Sequence, residues 1–116
     1  MSRYTGWFVL DAQSHNLLTT LAETLRGCDL NVVYRSEDYL MAREVPGAVP
    51  LSRFSRLVTA EILVERFANQ QVRLQVVAKN EELPLHQCNH CQQVFEKISA
   101  AISNNQNWEL LDLVAS

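Results

Sequence analysis

The chain has 116 residues, a formal charge of −3 and a 47% hydrophobic composition. A chain of this length fits one domain, 1–116, and buries about two thirds of its unfolded surface, which excludes a disordered chain and a core dependent on staples. The acidic balance excludes a general pull toward nucleic acid or an acidic membrane, and no apolar run approaches the roughly 20 residues that a membrane-crossing helix needs.

Residues 4–10, YTGWFVL, are aromatic and β-branched enough for a strand, and Gly6 within it marks a bend or a close neighbour. SHNLLTTLAETLRG follows as a helix, with Ser14 as N-cap and Gly27 as its stop. Leu17, Leu18, Leu21, Ala22 and Leu25 recur at helical spacing. Cys28 comes just after the stop, where a small apolar side chain packs beneath the helix end.

LNVVYR and YLMAREV are short strands joined by Ser36, Glu37 and Asp38 as a hairpin. PGAVPLSRFS then carries two of the three prolines and reads as a long irregular loop. In LVTAEILVERF, Val58, Ala60, Ile62 and Val64 share a face opposite Thr59, Glu61 and Glu65. In VRLQVVAK, Val72, Leu74, Val76 and Ala78 do the same opposite Arg73, Gln75 and Lys79. The polar connection ANQQ makes these two an antiparallel hairpin with one wet side.

A second helix, CQQVFEKISAAISNN, places Cys91, Val94, Phe95, Ile98, Ala101 and Ile102 on one stripe. The last run, WELLDLV, is apolar on both faces and therefore reads as an interior strand. The order β-α-β-β-β-β-α-β implies an α+β fold: one largely antiparallel sheet with both helices packed on one face. A ferredoxin-like split β-α-β core with an added hairpin is one such topology.

The segment HQCNHC concentrates two of the three cysteines and two of the three histidines, and three readings compete for it. Cys88 and Cys91 have C-x-x-C spacing at a helix start, where N–H groups and the helix dipole favour a thiolate. Cys88 as nucleophile and Cys91 as resolving thiol would then perform thiol–disulfide exchange, with His90 adding positive charge. CNHC resembles the C-x-H-C of thioredoxin-like proteins over these four residues. The chain departs from that family in the eight residues between Lys79 and Cys88, and in having no proline after the helix.

The second reading is a metal site, since His86, Cys88, His90 and Cys91 supply soft donors suited to zinc or copper. Four ligands within six residues are crowded, however, and no second ligand pair is visible, so no metal or other cofactor is expected. The third reading is structural. Asn89 is a good N-cap with Gln92 three residues on, which turns Cys91 into the core as a small hydrophobe. The structural reading is the one preferred.

No phosphate loop, G-x-S-x-G or H-E-x-x-H motif is present. Glu61 and Glu65 lie roughly 13 Å apart along their strand, too far for a catalytic dyad. No catalytic residue is therefore assigned.

Six of the eight arginines fall between Arg35 and Arg73, nearly balanced by Glu37, Asp38, Glu44, Glu61 and Glu65. Within that window Arg53, Phe54 and Arg56 combine residue types favoured in protein hot spots. Leu57 and Leu63 place apolar side chains on the nominally wet face of their strand. The expectation is a non-enzymatic accessory or regulatory module that binds another protein or a second copy of itself as a homodimer, with no nucleic-acid or membrane partner. An odd cysteine count without a signal-peptide pattern points to the cytoplasm.

Overall fold

The structure is a computed structural model, and it describes residues 1–11, 16–47, 57–81 and 89–115. Six strands form one antiparallel sheet: β1 (Ser2–Asp11), β2 (Leu30–Arg35), β3 (Tyr39–Glu44), β4 (Thr59–Arg66), β5 (Gln71–Asn80) and β6 (Glu109–Ala115). Their spatial order is β2-β3-β4-β5-β1-β6. Helices α1 (Leu17–Gly27) and α2 (His90–Ser103) touch each other and share one face, α1 over β2 and β3, α2 over β1 and β5. The expected α+β architecture is present, element for element.

Alternation explains the layering. Phe8 and Leu10 of β1, Val72, Leu74, Val76 and Ala78 of β5, Ala60, Ile62 and Val64 of β4, and Leu40 and Ala42 of β3 all point beneath the helices and are buried. Leu17, Leu21, Ala22 and Leu25 of α1 meet them from above, as do Cys91, Val94, Phe95, Ile98 and Ile102 of α2. Cys28 lies under the end of α1, its thiol directed at the Lys97 carbonyl oxygen 3.9 Å away. Burial, the largest influence on it, pushes that thiol's pKa up.

Local chemistry sets the turns. Ser36 donates its N–H to the Tyr39 carbonyl, closing the β2–β3 hairpin at the expected residues. The β4–β5 hairpin turns through Asn69 and Gln70, whose φ angles are 63° and 64°. The Asn89 side chain accepts the Gln92 N–H at 2.8 Å and caps α2 as expected. At the other end of α2, the Trp108 indole donates to the Ile102 carbonyl at 2.8 Å.

Two expectations need correction. The strand from WELLDLV is not interior: β6 is an edge strand paired only with β1. Its two-sided apolarity reflects an exposed rim, because Leu111, Leu113 and Val114 all face water. The first helix begins at Leu17 behind Asn16, whose side chain makes no capping bond, and Ser14 lies outside the described residues. The helix stops at Gly27, as expected, and Asp29, with φ 64°, makes the reversal two residues later. Asp is one of the few side chains that tolerate this conformation.

Gly6 is the close-neighbour glycine its strand position implied. A Cβ built there would stand 3.0 Å from Cζ of Phe95, so only a hydrogen lets α2 descend onto β1. Gly6→Val is expected to lower stability by about 1–3 kcal/mol through overpacking. The loss should shrink in a Phe95→Leu background, as read by urea unfolding of all four combinations. An unchanged cost in that background would show that Phe95 is not the obstacle.

Candidate functional site: the uncovered face of the sheet

With both helices on one side, the alternate residues of every strand face outward, and no element of the described residues covers them. The register aligns five of them into a row across the sheet: Tyr39 on β3, Leu63 on β4, Gln75 on β5, Trp7 on β1 and Val114 on β6. The row carries no formal charge. Leu63, on a central strand, is 43% exposed, and Val114, on the edge strand, 54%. A cleft of about 460 Å³ opens between Tyr39, Leu63, Arg73 and Trp7, and a neighbouring cleft of about 340 Å³ continues past Trp7 to Val9 and Val114.

Two ion pairs closed within the chain flank this row, and the outward-facing Arg3 and Arg43 align with Lys79 beside it. Lys79 Nζ lies 2.7 Å from Glu61 Oε1, and Arg73 Nη2 lies 2.6 Å from Glu65 Oε2. The Arg73 guanidinium also stands 5.8 Å above the centre of the Phe67 ring. The Lys79 hydrogen bond holds the Glu61 carboxyl below the usual carboxylate range, with a smaller contribution from Tyr39, against the opposing effect of burial. The Tyr39 hydroxyl, which donates to Glu61, is pushed up by burial first and by the Glu61 charge second. Glu61 and Glu65 thus serve two separate cations, consistent with their separation along β4.

Of the residues singled out from sequence, Leu63 lies in the larger cleft. Leu57 does not join it: it lines a different apolar cleft, with Val33, Val45 and Pro46, where the loop leaves β3. Arg53, Phe54, Arg56, His86 and Cys88 lie outside the described residues. Cys91 is fully buried, its thiol 3.8 Å from the Ser2 carbonyl oxygen. Among the described residues, no three His, Cys, Asp or Glu side chains gather as a metal site requires.

His90 lies elsewhere, on the helix side of the fold. Its Nε2 is 2.8 Å from both carboxylate oxygens of Glu44, and Glu44 Oε1 also accepts the N–H of Val58 at 3.1 Å. One carboxylate therefore ties the end of β3, the approach to β4 and the first turn of α2 together. Trp7, Tyr39 and Val114 went unnoticed in the sequence. The signal available was Trp7 and Val9 at alternate positions to the core pair Phe8 and Leu10.

The fold and site define a class: an α+β protein with a single antiparallel sheet, one face under helices and the other presenting an uncharged aromatic row. In comparisons with known proteins, no family model matches the chain and no curated protein matches it.

Because its folded pKa is depressed, the Glu61 carboxyl contributes stability above the ordinary Glu value of about 4.3, and that contribution is lost as pH falls through the lowered folded value. Glu61→Gln is expected to flatten this acid limb in urea unfolding, while costing under about 1 kcal/mol at neutral pH because the pair is partly solvated. Glu44→Ala is expected to cost about 1–3 kcal/mol, since the buried Val58 N–H loses its carboxylate acceptor. Thermal unfolding checks the second.

Proposed function

We propose that this chain is a non-enzymatic protein-interaction module, accessory or regulatory in role, that docks its partner on the uncovered face of the sheet. The observation that carries this reading is the Tyr39–Leu63–Gln75–Trp7–Val114 row, an apolar and aromatic stripe flanked by ion pairs already closed within the chain. Such a stripe supplies desolvation energy and large rigid contacts, while the flanking charges form a polar rim. A cytosolic setting is part of the proposal: the three cysteines are an odd number, and Cys28 and Cys91 serve as core side chains. No helix of the described residues is long and apolar enough to cross a membrane.

The test is site-directed photo-crosslinking in cells that make the protein. A photoreactive residue at position 75, the centre of the row, should yield a discrete protein adduct. That adduct should disappear with Leu63→Lys and persist with Glu96→Lys on the solvent side of α2. An adduct obtained from position 96 but not from position 75 would overturn the reading. Leu63→Lys suits this purpose because Glu61 and Glu65 flank it at i±2 and favour a cation there.

A further inference from the structure

We propose that the occupant of this face is an acidic amphipathic helix of another protein, lying across the strands. Its carboxylates meet Arg3 and Arg43, and its apolar side meets the Tyr39–Leu63–Trp7 row. The inference rests on the docking reading above and gives the partner a chemistry.

Charge complementarity is the first argument. Arg43 on β3, Thr59 on β4, Lys79 on β5 and Arg3 on β1 stand in register as a second outward row. Glu61 answers Lys79. Arg3 lends that same carboxylate only its field, and Arg43 has no carboxylate partner among the described residues. Both guanidinium groups belong to exposed residues. Glu81, one residue past β5, forms no ion pair with either. A guanidinium takes a carboxylate through two parallel hydrogen bonds, so this row, on a chain of net charge −3, is what an acidic partner fits.

The opposite end of the same face has the other sign. Asp11, Glu109 and Asp112 stand there, all exposed. A nucleic acid, charged along its whole length, would meet these carboxylates as well as the arginines. A helix with acidic residues on one flank meets only the arginines.

Spacing is the second argument. The cationic and aromatic rows are four residues apart along each strand, about 13 Å. A helix with its side chains is about 10–12 Å across. Laid parallel to the rows, over Thr5, Val77 and Met41, it reaches both at once. Arg43 and Arg3 are three strand spacings apart, about 14 Å, a distance that about three helical turns cover. The clefts beside Leu63 and Trp7 receive its apolar side chains. A partner strand fits less well, because both sheet edges bulge, β6 opposite Val9 and Leu10 and β2 between Val32 and Tyr34.

Fluorescence anisotropy of the full chain against labelled probes tests the proposal. The first probe is a helical peptide of about five turns, with leucines along one stripe and glutamates along the stripe beside it. The second has lysine for every glutamate, the third has glutamine for every leucine, and the fourth is single-stranded oligothymidine. The acidic peptide should bind at least about tenfold more tightly than the lysine and glutamine peptides, and more weakly as salt rises. The double variant Arg3→Glu, Arg43→Glu should reverse the preference between acidic and lysine peptides with an unchanged circular dichroism spectrum. Glu96→Lys on α2 should leave it as it is. Equal binding or no binding of the peptides overturns the acidic helix, as does a double variant that keeps the wild-type preference. Oligothymidine bound more tightly than the acidic peptide also overturns it. The adduct at position 75 separates the two readings. An adduct that persists in the double variant, or that contains a second copy of this chain, keeps the docking face and removes this partner. No adduct from the wild-type residues around position 75 removes both.

Discussion

The seating of α2 on β1 is the contact from which the remaining architecture follows. At Gly6 the strand offers only a hydrogen to the Phe95 ring. Beside it, the Asn89 side chain donates to Ser2 Oγ at 3.2 Å and to the Tyr4 hydroxyl at 3.0 Å while capping the helix. Asn89 and Ser2 are nearly fully buried, so this junction is a set of satisfied polar groups inside an apolar layer, which locks position as well as distance. With α2 held there and the Trp108 indole bonded to the Ile102 carbonyl, the chain leaving Ser103 enters the sheet beside β1, at its margin.

The uncovered face is a consequence of the same packing. A helix with its side chains is about 10–12 Å across, so two of them span most of a six-stranded sheet about 29 Å wide on one side only. The described residues hold two helices, they touch each other, and both are committed. The outward side must then manage its own exposure. It does so by pairing Glu61 with Lys79 and Glu65 with Arg73 across β4 and β5 and by sheltering the central Val77, which is 3% exposed although it lies on that side. What remains unsheltered is the aromatic and aliphatic row, and it remains so because nothing else in the described fold reaches it.

Much of this was legible from residue order. The alternation of Val58, Ala60, Ile62 and Val64, and of Val72, Leu74, Val76 and Ala78, defined a hairpin with one buried face because the strand period is two regardless of context. The α2 stripe and its Asn89 cap were equally plain, and they put Cys91 in the core, where it is. The errors fall where a local pattern has two physical causes. Apolarity on both sides of β6 could mean an interior strand or a rim facing both the core and an exposed patch. A polar residue ahead of the leucine repeat could be its cap, yet the helix starts at Leu17 with Asn16, not Ser14, at the cap position.

The candidate site was the least legible part, for a reason that is geometric rather than chemical. Leu63 was visible as an apolar residue on a wet face, but Trp7 and Val114 are far from it in sequence and share its row only through two and three strand pairings. Periodicity along the chain determined which residues share a side of each strand or helix, where the hairpins fall, and that two helices serve one sheet, since these depend on dihedral preference and side-chain alternation within a few residues. Only tertiary structure decided the strand order, the marginal place of β6 and the alignment of five strands into one row. Those depend on how the helices seat on the sheet, and at Gly6 the missing side chain leaves room for the Phe95 ring of α2.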